Sequence, residues 1–141
     1  MSSAAVIATN GTALTPVERD RYDANYVALF GEVSENARRR WDVTGRHGRA
    51  DVARLIEEIR IKAIHENHLG IKVQQLVHFG QLLALGRQAG AAHHAQAALK
   101  AGATVEELLG VVETAFITGG VPAYSLGIEI IAGIDSSTAV A

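Results

Sequence analysis

Apolar residues recur at helical spacing through most of this sequence, and no segment shows the strict alternation of a half-buried strand. Two stretches carry a paired helix-start signal, in which a threonine is followed three residues later by a glutamate: Thr15 with Glu18, and Thr104 with Glu107. Pro16 adds a second start signal, because proline suits the first helical position. The sequence therefore predicts an all-α fold.

The length of 141 residues suits one domain. We expect a flexible N-terminal arm over residues 1–14, a helical domain over 15–135 and a frayed tail over 136–141. Hydrophobic residues make up 48% of the chain, which excludes global disorder. The helices are expected to begin near Thr15, Ser34, Asp51, Ile71, Arg87, Thr104 and Pro122.

Charge and hydropathy limit the partners and the location. The net charge of −2 gives no reason to expect nucleic acid or an anionic membrane as a partner. The first 14 residues lack a basic segment and a compact apolar segment, so we expect no signal peptide. Glu113, Pro122 and Glu129 interrupt the most apolar stretch, residues 108–134, so no membrane span is expected. A cytoplasmic location is the default expectation.

The helix that begins near Asp51 is strongly amphipathic. Its apolar residues keep helical spacing, and they are Val52, Leu55, Ile56, Ile59 and Ala63. Its charged residues lie on the other side, and they are Glu57, Glu58, Arg60 and Lys62. The pattern predicts an amphipathic helix here.

Two histidines stand side by side in the alanine-rich helix over residues 87–101. A helical wheel places His93 on the side expected to face water and His94 among small residues on the opposite side. A histidine on such a face is either a hydrogen-bonded core residue or an acid/base group whose environment tunes it. We take His94 as the candidate catalytic residue, with Arg87 on the same side of the helix.

Two further polar features are unusual for their helices. Gln74, Gln75, His78 and Gln81 cluster on one side of the helix from Ile71, and no charge follows Lys72 in it. This side is expected either to pack in a subunit interface or to line a site. Glu113 borders an apolar stripe, so its carboxylate either reaches water or needs a partner.

Motifs for bound metals and cofactors are weak or missing. His65 and His68 have a spacing that could supply two metal ligands, but no complete metal motif accompanies them. The sequence has no cysteine, no glycine-rich nucleotide loop and no nucleophile elbow. We therefore expect neither a metal nor an organic cofactor.

Residues 69–131 resemble the carboxymuconolactone decarboxylase family, which includes the alkylhydroperoxidase D group. The resemblance is carried by Leu69-Gly70-Ile71-Lys72 and by the run from His94 through Leu99, Gly102, Thr104, Glu106 and Glu107 to Gly119-Gly120-Val121-Pro122-Ala123. It implies a helical bundle that assembles into trimers or hexamers, with active sites near subunit contacts.

The resemblance also indicates a branch of that family. Its peroxidase members carry two cysteines where this chain has Arg87 and Gly90, and a glutamate near the position of Gln75, so only His94 matches. Disulfide chemistry needs thiols, which excludes a thiol peroxidase. The decarboxylase branch lacks the cysteines and is similar to this chain, although Gly90 stands where that branch usually has a glutamate.

These observations lead to a functional hypothesis with two alternatives. We expect a cofactor-independent lyase or isomerase that acts on a small oxo-acid, a lactone or an intermediate of aromatic-compound catabolism. His94 would be the acid/base, Glu113 or His78 would set its tautomer, and Gln75 and Arg87 would bind substrate. The alternatives are a non-catalytic oligomeric binding or accessory protein of the same fold and, with less support, a histidine–metal hydrolase.

Overall fold

The structure is a computed structural model that describes residues 13–138, and these residues contain six α-helices and no strand. The helices are α1 (Pro16–Phe30), α2 (Glu35–Arg46), α3 (Ala50–His65), α4 (Ile71–Ala84), α5 (Gln88–Lys100) and α6 (Val105–Thr138). The all-α prediction is confirmed. Both capping boxes are present, because the backbone N–H of Glu18 donates to the Thr15 hydroxyl and that of Glu107 donates to the Thr104 hydroxyl.

The chain divides between Ala63 and Ile64 into two compact units. The single helical domain expected over residues 15–135 stays a prediction. Most of the expected arm and half of the expected tail lie outside the described residues. Where they are described, Leu14 is buried in the core of the first unit, and α6 continues as far as Thr138.

The first unit has an aromatic core with a buried carboxylate inside it. The Trp41 ring lies 6.1 Å from that of Tyr22 and 5.8 Å from that of Tyr26, centroid to centroid. The Glu57 side chain is buried, and its Oε1 accepts from Trp41 Nε1 at 3.0 Å and from the Tyr26 hydroxyl at 3.2 Å. Arg40 Nη2 donates to the Tyr26 oxygen at 2.9 Å. One acidic group thus links α1, α2 and α3.

The charged side of α3 is the one that is buried. Glu57 is 1% exposed and Arg54 is 7% exposed, whereas Ile59 is 67% exposed. The reason is that α1 and α2 supply partners for the charged side: indole and phenol donors for Glu57, and the Glu18 carboxylate for Arg54. Once paired, charged groups no longer carry the full cost of leaving water. The apolar side of α3 is left exposed.

The second unit contains α4, α5 and α6, and α6 folds back on itself. Its backbone leaves the helical region at Gly120, with φ of 75° and ψ of −166°. A Cβ built on Gly127 would lie 2.4 Å from Val112 Cγ2, although a straight helix would separate these residues by about 22 Å. We therefore treat α6 as two antiparallel arms, residues 105–119 and 121–138. The sequence predicted this break at Gly119-Gly120 and a new start at Pro122.

By length and composition alone, α6 is the one helix among residues 13–138 that could cross a membrane. This is weak evidence, because the core helix of a soluble protein passes the same test. The reversal at Gly120 also removes the straight path that the length suggests. Leu108, Val112 and Ile130 of α6 belong to the core of the second unit, together with Phe79 from α4.

Folding stability should depend on pH through Glu18. Hydrogen bonding from the Arg54 guanidinium lowers the pKa of Glu18 from 4.5 to about 2. Because the folded-state pKa lies below the unfolded value, the ionised group stabilises the fold above about pH 4.5, and this contribution is lost as pH falls towards 2. Glu18→Gln keeps an oxygen for the capping box and should cost about 1 kcal/mol at pH 7, since the pair is partly solvated.

Urea unfolding of both proteins from pH 7 to pH 2 measures this difference, which should shrink towards zero at the acid end. Glu32→Gln, at an exposed position just beyond α1, is the matched control and should have little effect at any pH. A difference between wild type and Glu18→Gln that stays constant across the range would contradict the assignment to this ion pair.

The close contact between the arms of α6 predicts opposite effects for two alanine substitutions. Gly127→Ala would force a methyl group against Val112, and overpacking of this kind costs about 1–3 kcal/mol. Gly133→Ala lies in the same arm with open space around its Cβ, so it should gain up to about 1 kcal/mol from helix propensity. Thermal unfolding followed by circular dichroism compares them, and equal effects would argue against the contact.

Candidate active site

Two polar side chains meet inside the second unit, one from α4 and one from α5. Gln75 is 1% exposed and His94 is 8% exposed, and Gln75 Oε1 lies 2.7 Å from His94 Nδ1. Ala91, Ala95 and Ala98 are buried on α5. Because these side chains are only methyl groups, the helices approach closely enough for a glutamine to reach the imidazole. The wheel correctly placed His94 on the buried side, and His93 is only partly buried.

The hydrogen bond determines the tautomer of His94. An amide oxygen can only accept, so Nδ1 must carry the proton and donate it to Gln75. In the neutral ring, the other nitrogen, Nε2, then holds the lone pair. This arrangement makes His94 Nε2 the atom that can take a proton from a bound molecule and return it.

His78 adds a second imidazole beside the first. The ring centroids of His78 and His94 lie 3.7 Å apart, with the planes tilted by 39°. His78 follows Gln75 by one helical turn on α4 and is half-buried, so it lies nearer to solvent than His94. The structure thus brings three of the five predicted site residues together.

Arg87 and Glu113 are not part of this cluster. Arg87 is an exposed residue at the N-terminal end of α5, and Glu113 is exposed in a shallow hollow beside Phe116 and Tyr124. His94, in contrast, is buried, and Gln75 Oε1 lies beside its Nδ1. The role expected for Glu113, to orient His94, stays a prediction.

Gln75 lies deeper than the sequence indicated, and its expected role in substrate binding stays a prediction. The sequence indicated a substrate ligand on a polar side of α4, but the residue shares the buried side of the helix with Phe79 and Leu83. A helical wheel shows on which side of α4 a residue lies. It does not show how closely a neighbouring helix packs against that side. No sequence signal distinguished a glutamine that orients His94 from one that binds substrate.

A separate apolar hollow of about 540 Å³ lies between α4 and α6, and we call it the α4–α6 groove. Its lining includes Val73, Val77, Gly80, Ala84, Gly110 and Val111. An ion pair stands at its rim, in which Lys72 Nζ lies 2.8 Å from Glu107 Oε1. The residues that line the groove do not include His94, Gln75 or His78, so it is a different surface from the imidazole cluster.

Candidate metal ligands do not converge. Within residues 13–138, no three histidine, aspartate or glutamate side chains are grouped so that they could hold a metal ion. His65 ends α3 and His68 follows in the connection to α4, and both are exposed.

The sequence profile of the carboxymuconolactone decarboxylase family matches residues 50–132, which is more than half of the chain. No curated protein matches the sequence. Among solved structures, the fold is similar to that of a Burkholderia xenovorans LB400 protein whose assignment as a carboxymuconolactone decarboxylase is provisional. The TM-score is 0.71 at 18% identity, over 87% of this chain and 95% of that one, so this likeness supports the fold alone.

The hydrogen bond to Gln75 predicts the protonation pattern of His94. In wild type, nitrogen-15 NMR of the histidine rings should show neutral His94 protonated at Nδ1. Gln75→Leu removes the acceptor and should shift the ring towards the Nε2-protonated tautomer. Gln75→Glu places a carboxylate beside the ring and should keep the imidazolium protonated to higher pH. The His93 signals serve as the internal control, and an Nε2-protonated His94 in wild type would contradict the assignment.

Proposed function

Because the chain belongs to the carboxymuconolactone decarboxylase family, we propose that it is a cofactor-independent lyase or isomerase. Its substrate is a small oxo-acid, a lactone or a related intermediate of aromatic-compound catabolism. The observation that carries the proposal is the 2.7 Å contact between Gln75 and His94, because it leaves Nε2 as a base. A buried histidine with a fixed tautomer can act as a general acid or base.

The proposed chemistry is proton transfer at a carbon next to a carbonyl group. His94 Nε2 removes a proton from this carbon, and the electron pair of the C–H bond moves to the carbonyl oxygen as an enolate. Return of the proton to a different carbon completes an isomerisation. A decarboxylation starts instead from the His94 imidazolium, whose Nε2 has taken a proton from solvent. The C–C bond to the carboxylate breaks, its electron pair forms the enolate as CO₂ leaves, and Nε2 then donates its proton to the carbon.

Gln75 and His78 have supporting roles in this proposal. Gln75 holds Nδ1–H and thereby keeps Nε2 available throughout the cycle. His78 lies against the His94 ring and is half-buried, so it would exchange protons between His94 and solvent. Both are positioning residues, whereas His94 is the residue that would accept the proton from the reacting carbon.

The absence of cysteine supports the choice among reactions of this family. A peroxidase with a cysteine pair needs two thiols, and the sequence has none. Neither a metal nor an organic cofactor is required for the proton transfers described above. The proposal therefore uses only groups that the chain contains.

We also propose that the protein forms a homo-oligomer, a trimer or a hexamer, in the cytoplasm. Large apolar side chains are exposed on both units, including Ile59 at 67% and Ile117 at 83%. Exposed apolar side chains of this size are often covered by a partner when they form a larger patch. A second copy of the chain would cover it.

A non-catalytic binding protein of the same fold is the second candidate. The observation that favours it is the position of the α4–α6 groove, because this apolar hollow of about 540 Å³ does not include His94 among its lining residues. A protein that only binds an apolar molecule would need no base at Nε2. The two candidates therefore differ in what His94 contributes.

A turnover screen against muconolactones and small oxo-acids tests the enzyme proposal. His94→Ala should lower kcat/KM by about 100-fold or more, which is the range that an acid–base group supplies. His93→Ala on the same helix should leave the rate nearly unchanged, and Gln75→Leu should lower kcat while binding is retained. If wild type and His94→Ala give the same trace for every substrate, the enzyme proposal fails and the binding protein remains.

A further inference from the structure

Two aromatic rings meet where α6 reverses its direction. Phe116 belongs to the arm over residues 105–119, and Tyr124 belongs to the arm over residues 121–138. Their ring centroids lie 6.1 Å apart, and the ring planes are at 80° to each other. In a straight helix, residues eight positions apart would be separated by about 12 Å along the axis. The reversal at Gly120 therefore brings the two rings together.

A hollow of about 300 Å³ lies beside these rings, and we call it the α6 hollow. Its described lining consists of Glu113, Phe116 and Tyr124. Phe116 is 46% exposed, Tyr124 is 40% exposed, and Glu113 is exposed as well. Glu113 precedes Phe116 by three residues, so the two side chains are neighbours on the surface of the helix. A carboxylate and two aromatic rings thus border the same space.

The charge around the α6 hollow is negative. Residues 105–138 contain no lysine and no arginine, but they contain five acidic residues: Glu106, Glu107, Glu113, Glu129 and Asp135. None of the described residues that line the hollow is basic. A cation that approaches this part of α6 would therefore meet an attractive potential.

We propose that the α6 hollow binds a small organic cation that carries a methylated ammonium group. A cation in the angle between the two rings could lie within about 6 Å of both centroids, where the ring quadrupoles attract it. A primary ammonium group has three N–H donors to satisfy, whereas a fully methylated one has none. The methylated group suits this lining, because its methyl groups pack against the rings while the Glu113 carboxylate balances its charge.

This site is separate from the acid–base site of the proposed function. The described lining of the α6 hollow does not include His94, Gln75 or His78. Binding in the hollow involves no proton transfer, so it can be measured before any substrate is known. Failure of the enzyme proposal would leave this site unaffected, and failure to bind a cation would leave the enzyme proposal unaffected.

Calorimetric titration with choline and with 3,3-dimethylbutanol tests the proposal. The second molecule is the neutral analogue of choline, in which a carbon atom replaces the nitrogen atom. Choline should bind, and the analogue should bind at least about 3-fold more weakly, because it lacks the attraction between a cation and the rings. Equal affinity for the two molecules, or no binding of choline at millimolar concentrations, would overturn the proposal.

Single substitutions assign the binding to the lining of the hollow. Phe116→Leu and Tyr124→Leu should each weaken choline binding by about 3-fold or more, because each removes one ring. Tyr124→Phe keeps the ring and should retain binding. Glu113→Gln should weaken binding, whereas Glu106→Gln, the same change of charge on the same arm outside the hollow, should not. Unchanged affinity in Phe116→Leu and Tyr124→Leu would place any bound choline elsewhere and overturn the site.

Proton NMR locates the cation in the wild-type protein, which avoids any effect of the substitutions on folding. The N-methyl protons of choline should show nuclear Overhauser effects to the ring protons of Phe116 and Tyr124. Effects to other side chains alone would contradict the assignment. Sedimentation with phosphatidylcholine vesicles tests whether the same group is read on a lipid. Wild type should stay in the supernatant, and sedimentation that Tyr124→Leu abolishes would overturn the choice of a small free molecule.

Discussion

Close approach of helix backbones is the constraint on which the second unit depends. The side of α5 that faces inward carries Ala91, Ala95 and Ala98, each fully buried, so that little more than methyl groups separates this helix from its neighbours. A small residue has the same effect within α6, where Gly127 leaves room for Val112 between the two arms. Because the helices lie this close, Gln75 and His94, which come from different helices, can form a 2.7 Å contact. The candidate site is therefore a product of the small residues around it.

The first unit is organised differently, around a carboxylate instead of alanine. Glu57 accepts hydrogen bonds from Trp41 and Tyr26, and these aromatic rings form the apolar core at the same time. A buried carboxylate with two donors is stabilised well enough to determine which side of α3 is turned inward. Its consequence is that the aliphatic side of α3 is turned away from the core of this unit.

The family and the geometry support different parts of the functional proposal. Family membership and the matching fold make a carboxymuconolactone decarboxylase-like protein the coarse conclusion. The contact with Gln75 and the stacked His78 ring suggest how His94 would work as a base, and the lack of cysteine removes the thiol chemistry found elsewhere in the family.

The sequence by itself determined the features that depend on neighbours along the chain. Capping boxes at Thr15 and Thr104, the break at Gly120 and the buried side of α5 are local, because propensity, caps and helical periodicity act over a few residues. Tertiary structure decided which partner each polar group meets. Amphipathic periodicity divides α3 into two sides but cannot show that donors from α1 and α2 make the Glu57 side the buried one. Similarly, a helical wheel could place Glu113 near an apolar stripe. It could not show that Gln75 contacts His94, because this contact depends on how α4 packs against α5, and that packing involves side chains distant in sequence.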